Sequence, residues 1–303
     1  MERGNKKSPI LLTVAAAIWG FAFVAQSQGM EYVGPFTFNC IRNLLGALVL
    51  LPVILVRDKA AAISAKEGEP AWGERDGRRL LTGGLCCGLI LWLSSGMQQI
   101  GIQYTTVGKA GFITAIYIVL VPVYGIFLKR RCGLRVWLGV GLASAGFYFL
   151  TMIGESAFTK GDLYVFICAV CFAAHILCVD YFSPRTDCVK LSCIQFLVCG
   201  LVSGVVMLLF ENPVPAAIVQ AWKPLLYTGV LSSGVAYTLQ IVGQKNFNPT
   251  IAALLMSLES VFSVLAGWIV LHQALKASEI AGCILIFAAI ILAQLPEKQN
   301  CGI

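Results

Sequence analysis

The chain has 303 residues, of which 58% are hydrophobic and only 12% charged, and its mean hydropathy is +0.82. A composition so poor in charge excludes a water-soluble enzyme, a disordered tail and a nucleic-acid reader. The formal charge of +7 therefore needs a partner other than nucleic acid, and loops facing an anionic membrane leaflet supply one.

A bilayer core of about 30 Å takes roughly 20 apolar residues in a helix. Ten such runs follow one another at 9–29, 34–56, 80–101, 106–128, 133–153, 162–182, 188–210, 222–243, 249–271 and 277–295. The stretch from Leu80 to Gly101 carries no charge and no alternation, so a barrel of alternating strands does not fit. The expected fold is all-α and integral to the membrane. The first run follows Glu2, Arg3, Lys6 and Lys7 in the manner of a signal peptide, but nine more spans follow it and no convincing small-x-small cleavage site does, and it reads as an uncleaved first helix. With that end in the cytoplasm, seventeen of the 22 Lys and Arg residues fall in inside loops and termini. Lys160, Lys223 and Lys276 fall outside, and Arg42 and Lys109 lie within runs. This bias predicts ten spans with both termini cytoplasmic and a charged, solvated cytoplasmic loop at 57–79.

Each ionisable or aromatic residue at depth needs an explanation, because charge costs about 2.5–3.5 kcal/mol at the bilayer centre on insertion scales. In the first run, Trp19 lies well inside the helix and either stacks on a substrate or simply packs. In the second, Arg42 sits about eight residues, roughly 12 Å, from the outer end. It holds a substrate carboxylate or phosphate, or else it pairs internally with Glu259. In the third, Gln98 and Gln99 are explained by interhelical hydrogen bonds, and Gly84 with Gly88 forms a small-residue face. In the fourth, Lys109 snorkels, Tyr117 parallels Trp19, and Pro122 is expected to bend the helix.

The sixth run carries Cys168-x-x-Cys171, which has no second pair or nearby histidine and reads as packing, as do all twelve cysteines. Its His175 can titrate near neutral pH or be a neutral ring bonded to a neighbouring helix. The seventh run holds Gln195, explained by an interhelical hydrogen bond, and the small-residue face Gly200 with Gly204; the eighth holds Gln240, explained like Gln195, and Tyr237, which either stacks on a substrate or packs. In the ninth, Glu259 lies about ten residues, roughly 15 Å, from the cytoplasmic end. Desolvation holds a carboxyl there toward its neutral form and a nearby cation holds it toward the charged form, which makes Glu259 the proton-coupling candidate as well as a candidate anchor for an amine.

The ten runs split five and five with weak internal similarity: Cys40-Ile41-Arg42 matches Cys193-Ile194-Gln195, and Thr82 to Gly88 resembles Thr228 to Gly234. An odd number of spans per half makes the two copies run in opposite senses, the arrangement of alternating-access transporters. Ile18 to Gln26, Gly34 to Asn39 leading to Arg42, Gly111 to Tyr117 through Val121-Pro122, Ala174-His175-Ile176 and Leu258 to Phe262 resemble the EamA family of the drug/metabolite transporter superfamily. The resemblance covers about residues 9–295. It implies ten transmembrane helices in two inverted five-helix repeats, 1–153 and 154–303, a bacterial inner-membrane location, and movement of small metabolites, often export of amino acids or related compounds. The family often has proline after the glutamate of the ninth span; Ser260 stands there, which puts a kink at that point in doubt.

The expected function is a secondary transporter whose cavity draws on Trp19, Arg42, Tyr117, His175, Tyr237 and Glu259. The expected partners are a small-molecule metabolite and membrane lipids, with no nucleic acid, cofactor, metal site or catalytic residue, and a homodimer is left open. A non-transporting membrane subunit and an intramembrane enzyme are the alternatives. The sequence lacks GxxxxGK[ST], GxSxG and HExxH, so it offers no signature of nucleotide hydrolysis or of either hydrolytic chemistry.

Overall fold

A computed structural model of the protein describes residues 7–64, 74–105, 107–129, 133–151, 159–271 and 277–294. Among them every regular element is helical. The helices are α1 (Ser8–Gly29), α2 (Pro35–Ser64), α3 (Glu74–Ile102), α4 (Val107–Ala115), α5 (Tyr117–Phe127), α6 (Leu134–Thr151) and α7 (Lys160–Phe182). They continue with α8 (Cys188–Phe210), α9 (Pro215–Gln220), α10 (Trp222–Leu226), a π-helical segment (Tyr227–Tyr237), α11 (Thr238–Gln244), α12 (Pro249–Met256), α13 (Leu258–Leu271) and α14 (Ala277–Gln294).

Eight helical stretches are long and apolar enough to cross a membrane: Ser8–Gly29, Pro35–Ala60, Gly77–Ile102, Ala110–Phe127, Lys160–Arg185, Cys188–Phe210, Trp222–Gln244 and Pro249–Val270. At the fifth and tenth expected spans the apolar helical stretches are shorter, Leu134–Gly146 and Ile280–Ala293. The expected loop at 57–79 is largely helical instead. The second helix continues to Ser64 and the third begins at Glu74, because charged residues suit a helix once it leaves the apolar layer; residues 65–73 lie outside the described residues.

The helix starts follow local chemistry. Thr159 and Asp162 form a reciprocal capping box at α7, Asp187 accepts from the Val189 and Lys190 amides at α8, and Asn248 caps α12 with Pro249 at its first position. Small residues then let helices meet. A Cβ on Gly101 would lie 2.9 Å from the Gly161 carbonyl, and one on Gly83 would lie 2.8 Å from the Phe182 ring, so α3 and α7 run antiparallel in contact at both ends. The extensive pairings are α6 with α14, α2 with α8, α3 with both α7 and α8, α1 with α13 and with the α10–π–α11 helix, α2 with the π segment, and α7 with α4 and α5.

The α2–α8 pair is tied at each end. The Glu211 carboxylate accepts from the Phe36 and Thr37 amides (2.9 and 2.7 Å) and from Thr37 Oγ1 (2.6 Å) at the start of α2. At the other end Arg57 bonds Asp187 (3.1 Å) and Lys190 bonds Asp58 (2.9 Å).

Polarity is inverted relative to a soluble protein. Leu48, Val56, Leu201, Leu208 and Phe210 are exposed, whereas Asn39, Arg42, Asn43, Gln98, Gln99, Gln195 and Glu259 are buried. Lipid tails demand this surface, and the interior concentrates the groups that hydrogen-bond.

Two crossing helices are broken near their middles. The fourth turns tightly at Ile116, whose amide reaches Ile113 O (3.2 Å) and whose carbonyl accepts from Val119 (2.9 Å), both three-residue bonds. The expected bend at Pro122 is therefore displaced: that proline sits inside α5, and the discontinuity lies six residues earlier. The ninth is broken at Ser257, where Ser260 N bonds Ser257 O (3.1 Å) and Ser257 Oγ donates to Leu254 O (2.7 Å). Here a hydroxyl that engages a backbone carbonyl accompanies the interruption of the helix.

Candidate functional site

The two breaks flank a cavity of about 480 Å³, its open mouth included, between the first and second halves of the chain. Seven lining residues come from each half: Trp19, Phe23, Gln26, Arg42, Gln98, Thr114 and Tyr117, against Phe172, Ile176, Ser232, Tyr237, Gln240, Met256 and Glu259. This mixture of aromatic walls with a few polar groups suits a small organic solute.

Arg42 reaches the cavity from α2 with 3% of its surface exposed. Its Nη1 donates to Gln26 Oε1 (3.0 Å) and its guanidinium lies 5.9 Å from the centre of the Phe38 ring. Its Nε has no hydrogen-bond partner. Glu259 opens the first turn of α13 and accepts from Tyr117 OH (3.2 Å), so one bond spans the two broken helices. Among the described residues no ion pair joins Arg42 to Glu259, although both face the same space. The internal pair that the sequence leaves open is not the arrangement found. Each charged group has a neutral partner, and the guanidinium keeps a donor free.

The aromatic wall is built from three elements. The Trp19 and Tyr237 rings meet edge-on with centroids 4.8 Å apart, and Tyr227 OH donates to Ile18 O (3.0 Å), fastening the π segment to α1. Phe172 completes this side from α7. Two more polar atoms of the lining are buried without partners, the donor Trp19 Nε1 and the acceptor Gln240 Oε1. Other buried polar atoms among the described residues, such as Trp92 Nε1 and Gln244 Oε1, also lack partners, but those of the lining stand beside open space in which a ligand or water can make the missing bonds.

His175, the sixth residue expected here, does not line the cavity. Its ring is fully buried one layer back, with Nε2 bonded to Gln195 Oε1 (3.1 Å) on α8 and its centroid 6.2 Å from that of Tyr237. The polar neighbour on α8 draws the imidazole away from the space. Lys109's side chain lies outside the described residues.

Conversely, the sequence reading passed over Gln26, Thr114 and Ser232 and gave Gln98 and Gln240 only an interhelical role. Gln98 does make such a bond, donating to Thr114 Oγ1 (3.2 Å), while both residues also line the cavity. Their signal was present as amides and hydroxyls inside otherwise apolar runs.

Known proteins agree with this architecture. The profile of the EamA-like transporter family matches twice, over residues 6–152 and 159–295. The chain belongs to the EamA-like transporter family. An uncharacterized transporter of Archaeoglobus fulgidus is 29% identical, with 94% of this chain and 84% of that protein covered. The uncharacterized transporter YoaV of Bacillus subtilis is 24% identical over 91% of this chain and 92% of its own length. A solved crystal structure shares the fold with a TM-score of 0.76 at 18% identity, covering 96% of this chain and 97% of the other. This EamA-like chain is a multi-pass membrane protein of a transporter family.

Proposed function

We propose that the protein is a secondary transporter that moves a small polar metabolite, an amino acid or related compound, outward across a bacterial inner membrane by alternating access. In this reading ten helices form two inverted five-helix repeats, 1–153 and 154–303, with both termini cytoplasmic. The double match of the family profile supports the division. So does the packing. Exchanging the first five crossing helices for the second five turns α3–α7 into the contact of α10–π–α11 with α1, and turns α3–α8 into that of the π segment with α2. It leaves α2–α8 and α6–α14 in place. Two near-equivalent halves around one site are what a two-state carrier requires.

The observation that carries the proposal is the cavity itself. It is lined equally by the two halves and holds an unpaired guanidinium donor and a separate carboxyl at the broken helices. Arg42 takes an acidic group of the solute, the Trp19–Tyr237 wall takes its body, and Glu259 exchanges a proton or holds an amine. Tyr117 accompanies Glu259, and His175 supports the wall through its contact with Tyr237.

The test compares metabolites released by cells overproducing the chain with those released by cells producing Glu259→Gln, followed by the identified solute in liposomes. Wild type accumulates solute against its gradient when a pH difference is imposed. Glu259→Gln retains solute exchange and loses pH-driven accumulation. Accumulation that survives in the variant removes the coupling role, and a purified chain that moves no released solute removes the transporter reading.

A further inference from the structure

Away from the cavity, two thiols meet between α3 and α7: Cys87, thirteen residues after the start of α3, and Cys178, one turn from the end of α7, have Sγ atoms 3.4 Å apart. One belongs to the first half of the chain and the other to the second. Cys87 is fully buried and Cys178 is half-buried, and neither lines the cavity. The backbones are held close here, since a Cβ on Gly83, one turn from Cys87, would strike the Phe182 ring, one turn from Cys178. The surrounding apolar cluster of Val179, Leu191 and Ile241 fixes both side chains. A disulfide needs sulfurs at about 2.05 Å, so roughly 1.4 Å of closure is required, within reach of small side-chain rotations on helices already in contact.

We propose that Cys87 and Cys178 form a reversible oxidation site, at which a peroxide converts the two thiols into a disulfide that joins α3 to α7. The accessible sulfur reacts first. Cys178, as its thiolate, attacks one peroxide oxygen and the O–O bond breaks. The leaving hydroxide takes up a proton as water, and Cys178 becomes a sulfenic acid. Cys87 then attacks the Cys178 sulfur; the S–O bond breaks, the S–S bond forms, the Cys87 proton leaves with the hydroxide, and a second water is released. Two thiols are oxidised by two electrons and one peroxide is reduced to two waters. Cys178 lies about four residues, roughly 6 Å, from the end of α7, so a small uncharged oxidant has a short path from the membrane surface. A reducing compartment restores the thiols by exchange. Neighbouring Cys86 is exposed on a different face of α3 and takes no part.

The experiment treats the purified full-length protein in detergent with hydrogen peroxide, blocks free thiols with a maleimide, and maps peptides without reduction. The expected product is a cross-linked peptide pair containing Cys87 and Cys178, lighter by two hydrogens and lost on adding dithiothreitol. A protease site inserted between residues 155 and 156 gives a second readout: after cleavage the oxidised halves migrate together on a non-reducing gel and the reduced halves separate. Cys87→Ser and Cys178→Ser each abolish both signals, while Cys86→Ser leaves them. A link that maps to Cys86, or sulfinic acid at Cys178 with no cross-link in the wild-type protein, overturns the proposal. The wild-type readout does not depend on any variant folding.

Discussion

Arg42 is a buried guanidinium that must be compensated by its surroundings. A guanidinium out of water is tolerable only while its donors are engaged, and Gln26 Oε1 is the side-chain acceptor that engages Nη1. Gln26→Leu is therefore expected to lower stability by about 1–3 kcal/mol, read as a drop in the melting midpoint in detergent. Adding Arg42→Met to that variant recovers most of the loss, because the uncompensated charge is removed with its partner. An unchanged midpoint in Gln26→Leu shows that other groups satisfy the guanidinium. Arg42→Lys tests function separately: it keeps the charge but loses the planar fork, and release of the solute is expected to fall about tenfold or more while membrane levels hold. Normal release by this variant argues against a fork-shaped contact.

The elements that shape the site are the irregular ones. The fourth and ninth crossing helices break at Ile116 and Ser257, which puts Tyr117 and Glu259 at the starts of new helical segments facing each other. Ser260 Oγ donates to Gly111 O (3.1 Å), tying α13 to α4 just beyond those breaks. Ser260→Ala is expected to cost about 1 kcal/mol by freeing a buried carbonyl. The π segment presents Gly229, Ser233 and Gly234 to α2, and a Cβ on Gly46 would lie 2.7 Å from Ser233 Cβ. Gly46→Ala is thus expected to destabilise the protein by about 1–3 kcal/mol, and Ser233→Gly in the same chain relieves much of the cost. Melting of the single and double variants checks this, and equal midpoints for Gly46→Ala and wild type refute the close approach.

At the scale of the molecule, an apolar exterior and a polar seam between two halves leave the charged segments to decide orientation. The excess of Lys and Arg on one set of loops predicts that reporter fusions after Gln103, Arg131 and Ala157 read outside, inside and outside, with a carboxy-terminal fusion inside. A carboxy-terminal fusion reporting from the far side overturns that topology. In that predicted topology the Glu211 tie is expected at the outer end of the α2–α8 pair and the Arg57–Asp187 tie at the inner end.

By itself the sequence determined the solvent, the helical class and the family. A helix must satisfy its own backbone in lipid, so about 20 apolar residues announce a crossing wherever they fall, and motifs such as Ile18 to Gln26 survive in linear order. Charge and aromatic rings at depth are costly enough to stand out in a sequence, and five of the six residues singled out in this way line one cavity in the structure. Tertiary structure decided what those residues touch. Whether Arg42 meets Glu259 or Gln26, whether His175 faces the cavity or Gln195, and whether Cys87 meets Cys178 among the described cysteines are questions of how helices distant in sequence are rotated against one another. The breaks at Ile116 and Ser257 belong to the same class, since three-residue bonds and hydroxyl contacts hold them only where neighbouring helices supply the packing. An apolar run fixes the length of a helix in lipid; its rotation and its partners are set by short-range packing and hydrogen bonding, which linear spacing does not encode.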